Sequence, residues 1–153
     1  MEIKSTLQVI KESEIASHQG VTEGQTQQPI IGSDGRPSDR IRVALATFVP
    51  GTLEKLHWHP IESYYFVISG RATVRDIEGK EYEVGPETSI YCPPGLAGAH
   101  EWDVTETMRL LSVRGTTDTS KKMQFTVDKD TKRSYIDLDE LIRREGISFE
   151  SHY

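Results

Sequence analysis

From Ile41 onward the chain alternates polar and apolar residues with a period of two, and glycine or proline interrupts the alternation at short intervals. That pattern constrains the fold more than anything else in the sequence, because successive strand side chains point to opposite faces. "IRVALATFVPG" reads as a strand closed by Pro50-Gly51, and "SYYFVISG" as a second ended by Gly70. "RATVRDIEGKEYEVG" reads as a hairpin turning at Glu78-Gly79-Lys80 and closed by Gly85. "TSIYCPPG", "AHEWDV", "MRLLSVRG" and "MQFTVD" follow as further short strands. Short strands at regular spacing predict an all-β sandwich or barrel.

With 153 residues, the chain has the length of one domain with a sizeable core. Residues 1–40 read as an N-terminal arm or lid region of that domain, residues 41–128 as the β-barrel, and residues 129–153 as a C-terminal extension. The polar, Gly-rich stretch from Gly20 to Asp39 is open to two readings, a lid or a plain loop. In "YIDLDELIRREG", Leu138, Leu141 and Ile142 fall at helical spacing, with Asp137 and Glu140 as a capping box and Gly146 after Arg143 and Arg144. This predicts a short C-terminal α-helix.

A net charge of −6 and a pI near 5.4 argue against a nucleic-acid partner, which asks for a basic face. Neither a signal-peptide pattern in "MEIKSTLQVIKESE" nor an apolar run of about 18 residues is present, so no membrane partner is expected. The single cysteine, Cys92, has no internal partner for a disulfide and points to a reducing, cytoplasmic setting.

Five histidines occur, at 18, 57, 59, 100 and 152. His57 and His59 flank Trp58, and on a strand they share one face, so both imidazoles can converge on one ion while Trp58 packs on the other side. Alone, the pair is a weak signal. His100, just after the "PPG" turn, is the remaining histidine in a strand context. His18 and His152 lie near the ends and are expected in solvent.

Around these histidines the chain resembles the cupins. Their first motif runs glycine, five residues, His-x-His, three or four residues, glutamate, six residues, glycine. Here Gly51, "TLEKL", His57-Trp58-His59, Pro60 and Gly70 follow it. "GPETSIYCPPGLAGAH" resembles the second motif, with Gly85, Pro93-Pro94-Gly95 and His100, although its spacings are about two residues long and Val104 replaces the usual asparagine. The resemblance implies a jelly-roll β-barrel holding one divalent transition metal ion on His57, His59 and His100. It also implies a homodimer and a catalogue of chemistries: dioxygenases, decarboxylases, isomerases, lyases, cyclases and non-catalytic binders. Fold does not choose among these.

One departure bears on the chemistry. Leaving six residues before Gly70 puts the motif's glutamate at position 63, which is Ser63, while Glu62 sits one place early. Either the loop after His59 is tighter and Glu62 reaches the ion, or register is kept and Glu62 points away; the fixed closing glycine favours register. Three neutral imidazoles would leave a divalent ion its full charge and open positions for an anionic, chelating substrate. This places a non-haem Fe(II) dioxygenase first, acting on a small organic acid or β-dicarbonyl-like substrate; Mn, Ni, Zn, Cu and Co are alternatives to iron. A site of three histidines and one carboxylate would instead resemble lyase, isomerase and decarboxylase cupins, and a non-catalytic binder is the third reading. Arg42 shares a strand face with Ala44 and Ala46 and is a candidate for holding a substrate carboxylate, or a solvated arginine. Tyr64 or Tyr65 is a candidate acid or base, or core packing. Trp102 shares a face with His100 and is expected to wall the pocket. Cys92 reads as a buried small residue.

Overall fold

The computed structural model describes residues 1–20, 22–33, 35–115 and 124–139. Ten strands occur in them: β1 (His18–Gln19), β2 (Gln25–Ile31), β3 (Arg42–Phe48), β4 (Leu53–Trp58), β5 (Ser63–Asp76), β6 (Glu81–Val84), β7 (Ser89–Cys92), β8 (His100–Arg114), β9 (Phe125–Val127) and β10 (Ser134–Tyr135). Every pairing is antiparallel. This is the all-β barrel that the alternating pattern and the turn residues predict.

β8 is the spine. One of its edges pairs first with β4, near His100–Asp103, and then with β3, from Met108 to Arg114. Its other edge pairs with β5 along almost its whole length, from Ser63↔Arg114 to Asp76↔His100. Phe48, Val67, Trp102, Val104, Met108 and Leu110 bury their side chains between these strands. Each such burial contributes about 1.5–3 kcal/mol. A smaller cluster of Leu56, Ala99 and Val127 packs with Trp58 and Ile77.

Two expectations about strand ends are corrected. Gly70 does not end a strand, and "AHEWDV" and "MRLLSVRG" are not separate strands: β5 and β8 each run through. The reason is a run of register shifts between Val67 and Ala72. Before it the buried residues are Ser63, Tyr65 and Val67; after it they are Ala72 and Val74. The inward phase has moved by one residue, which an extra residue in one strand produces. Gly70, at φ +87°, makes the irregularity possible, since a Cβ there would lie 2.2 Å from the Thr107 carbonyl oxygen.

The stretch open to two readings, 20–39, contributes β2, which pairs with β3 from Gln25↔Phe48 to Ile31↔Val43. Thus β2, with β1 beside it, extends the sheet next to the face carrying Arg42, Ala44 and Ala46. The helix expected over 137–146 falls almost entirely outside the described residues, as does His152; within them, Asp137 pairs with Lys55 at 2.8 Å. No helix among the described residues is long and apolar enough to cross a membrane.

Candidate metal centre

His57 lies on β4 directly opposite His100 on β8, so the ladder itself holds the two imidazoles together, ring centres 4.4 Å apart. His59 follows at the end of β4, 4.9 Å from the His57 ring and 5.8 Å from His100. Its carbonyl accepts a hydrogen bond from Gly95 N (2.9 Å), which ties the His-x-His segment to the Pro-Pro-Gly turn ahead of His100. All three residues are buried, and each offers a ring nitrogen within 4.8 Å of the others. Trp58 turns to the opposite face, stacks on Phe125 at 4.4 Å and donates to Ser134 Oγ.

The far side of each ring shows how far the site fits an ion. His57 Nδ1 donates to the Lys55 carbonyl (2.5 Å), which leaves the Nε2 lone pair for a metal. His100 Nε2 is buried with no hydrogen-bond partner among the described residues. Buried polar atoms are seldom left so, and an ion satisfies them. His100 Nδ1 accepts from Trp102 Nε1 (2.6 Å) and His59 Nδ1 from Arg114 Nη1 (3.2 Å). A neutral imidazole carries one N–H, so these two bonds have to rearrange when an ion takes the Nε2 positions. By number, burial and convergence the donors suit a divalent transition metal.

Burial works against a charge on His57, but the Glu54 carboxylate and the Lys55 carbonyl outweigh it and the pKa is raised. His100 is held well below the ordinary histidine value by burial, then by the charges of His57 and Arg114. Burial pushes Tyr65 up to about 12.

Other residues named from the sequence separate clearly. Tyr65 faces inward, its ring 5.6 Å from both His100 and Trp102. Tyr64 faces out and bonds Ser89 Oγ. Ser63 is buried on the Tyr65 face, whereas the Glu62 carboxylate accepts from Tyr91 Oη at the exposed surface (2.8 Å). The structure therefore keeps register and takes Glu62 and Tyr64 out of the group around the histidines. Arg42, Ala44 and Ala46 line one cavity of about 290 Å³, with Ser112 and Arg114. His18, exposed as expected, borders it. Trp102 stands behind His100, and Cys92 is buried, its thiol pushed up to about 12 chiefly by burial.

Two residues escaped the sequence reading. Arg114 had a signal: it alternates with Leu110 and Ser112 on the inward face of β8. Glu54 had none. From His57, alternation places residues 53 and 55 on the histidine face and Glu54 opposite. A register shift between Glu54 and His57 reverses this and brings Glu54 Oε1 to 3.2 Å from His57 Nε2.

Residues 44–114 match the family model described as the cupin domain. No curated protein matches the chain significantly. Among solved structures, the polyketide cyclase RemF from Streptomyces resistomycificus superposes with a TM-score of 0.68 at 19% identity, over 83% of this chain and 89% of its own. Oxalate decarboxylase from Bacillus subtilis, which has Mn(II) centres, gives 0.60 at 22% identity over 80% of this chain and 33% of its own. The chain thus spans about a third of that enzyme. The DMSP lyase DddQ from Ruegeria pomeroyi gives 0.60 at 16% identity, over 73% and 60%. At such identities the likeness establishes the fold.

Proposed function

We propose that this chain, whose residues 44–114 match the cupin domain, is a metal-dependent enzyme that converts a small organic anion by non-oxidative chemistry, as a lyase, isomerase or decarboxylase. The observation that carries this reading is Arg114. Its guanidinium contacts His59 at 3.2 Å and also lines the cavity that Arg42 lines; the three histidines do not line that cavity, and Arg114 is what links it to them.

A divalent transition ion on His57, His59 and His100 would supply Lewis-acid polarisation of a substrate oxygen. Manganese, iron, cobalt, nickel and zinc all suit imidazole donors. The chain's own groups do the rest. Arg42 and Arg114 present planar guanidinium forks that bind a carboxylate in paired hydrogen bonds. Tyr65, with its pKa raised to about 12, keeps its proton at neutral pH and serves as a donor rather than a phenolate base. Trp102, buried behind His100 with its ring 5.6 Å from that of Tyr65, walls the site on that side.

The dioxygenase expectation rested on a site of neutral ligands alone. A carboxylate, Glu54, stands 3.2 Å from His57, and three histidines with one carboxylate is the combination that the resemblance associates with non-oxidative cupins, which supports this reading. The test is a panel of small mono- and dicarboxylates and β-dicarbonyls, with protein reconstituted in Mn(II), Fe(II) or Zn(II), in air and in an anaerobic chamber. Equal turnover in both atmospheres is expected. Arg42→Ala and Arg114→Ala should each raise KM about 10–100-fold, the value of a hydrogen bond to a charged group. Dioxygen consumed in step with substrate would return the reading to a dioxygenase, and no turnover on any metal would favour a binding protein.

A further inference from the structure

We propose that Glu54 is a ligand of the metal centre, occupying the carboxylate role that Ser63 and Glu62 do not fill. The inference rests on the three-histidine reading of the site. Ser63 stands on the inward face with no carboxylate to offer, and Glu62 is engaged by Tyr91 at the surface. Among the described acidic residues, Glu54 is the one placed against a histidine of the cluster.

Its separation from His57 is that of neighbouring ligands. The donor set that already converges within 4.8 Å is the three histidines, so the Glu54 carboxylate would swing toward His59 and His100 on binding. Histidine nitrogens and carboxylate oxygens each lie about 2.0–2.2 Å from such an ion. Two of them at 90–110° around it are therefore about 3.0–3.4 Å apart. The observed distance from Glu54 Oε1 to His57 Nε2 is 3.2 Å. It involves the same nitrogen that the Lys55 carbonyl leaves available at His57. The Glu54 side chain is only 12% exposed, and an acid is rarely held so far from water without a charged partner. The local backbone is built for this placement, because the register shift in β4 turns Glu54 inward when simple alternation would turn it out.

The measurements are calorimetric Mn(II) affinity and the visible spectrum of the Co(II)-substituted protein, for wild type, Glu54→Gln, Glu54→Asp, Glu62→Gln and His57→Ala. Circular dichroism of the metal-free forms first establishes folding. Glu54→Gln should weaken Mn(II) binding by about 10–100-fold or more and alter the Co(II) bands. Glu54→Asp, which withdraws the oxygen by one methylene, should move both in the same direction and serves if the amide variant fails to fold. Glu62→Gln should leave both unchanged. Unchanged affinity in the Glu54 variants overturns the proposal. So does weaker affinity with an unchanged Co(II) spectrum, which would make Glu54 a hydrogen-bonding neighbour only. Full metal retention in His57→Ala is the separate result that would fail the three-histidine reading itself.

Discussion

Cys92 and Tyr65 give the interior an alkaline limit. Both are raised to about 12 in the fold, chiefly by burial. Their unfolded values are about 8.5 and 10. The folded state therefore holds more protons than the unfolded state above pH ~8.5, so stability falls with rising pH in that range. The contribution is complete below the unfolded values and is lost as pH climbs through about 8.5 toward 12. Urea unfolding between pH 7 and 11 should show a midpoint that declines above pH ~8.5, and Cys92→Ala should delay the decline until Tyr65 contributes. Alkylation at pH 8 should likewise spare the native thiol while labelling it in urea. At this scale the sequence exposed residues whose faces follow from regular strands. Arg42 beside Ala44 and Ala46 is one, and His100 with Trp102 two places on is another. It left Tyr64 and Tyr65 unresolved because both neighbours' alternating sets are apolar, and burial alone separated them.

Turns and bulges differ in how much of them a sequence reveals. The hairpin at Glu78-Gly79-Lys80 was legible because Asp76 and Gly79 have fixed local roles. The Asp76 carboxylate accepts from the N–H groups of Glu78 and Lys80, and Gly79 takes φ +85°. The bulges of β4 and β5 were not, since they depend on what the neighbouring strand does. Gly70 and Gly79 share nearly the same φ yet differ in surroundings: a Cβ at Gly79 meets nothing within 4 Å, while one at Gly70 meets Thr107 O and Met108 Cα at 2.2 and 2.5 Å. Gly79→Ala should cost about 1–2 kcal/mol, the strain of a positive φ alone. Gly70→Ala should cost about 3–5 kcal/mol or abolish folding, since β8 backbone must also move. Equal losses for the two in denaturant titrations would mean that β5 absorbs the bulge without crowding β8.

Over the whole molecule, the fold class followed from period-two alternation and the cupin motifs, while the closing of the barrel did not. β8 has 15 residues and would span about 46 Å if straight. Yet its two ends come to the same histidine: His100, at its start, lies 5.8 Å from His59 by ring centres, and Arg114, at its end, bonds the His59 ring. That return, across 55 residues between His59 and Arg114, has a kinetic consequence. The ion's ligands assemble only when distant segments have closed, and such non-local contacts are slow to form. A metal cannot then act as a template for early folding. Added Mn(II) or Zn(II) should leave the refolding rate within about twofold. At about 100 times Kd it should slow unfolding by about 100-fold, corresponding to about 2.7 kcal/mol of stabilisation. Stopped-flow arms that instead showed faster refolding would place the histidine cluster in the folding nucleus. Otherwise the ion acts as a latch on the finished barrel, governing how long the native state lasts rather than how quickly it is reached.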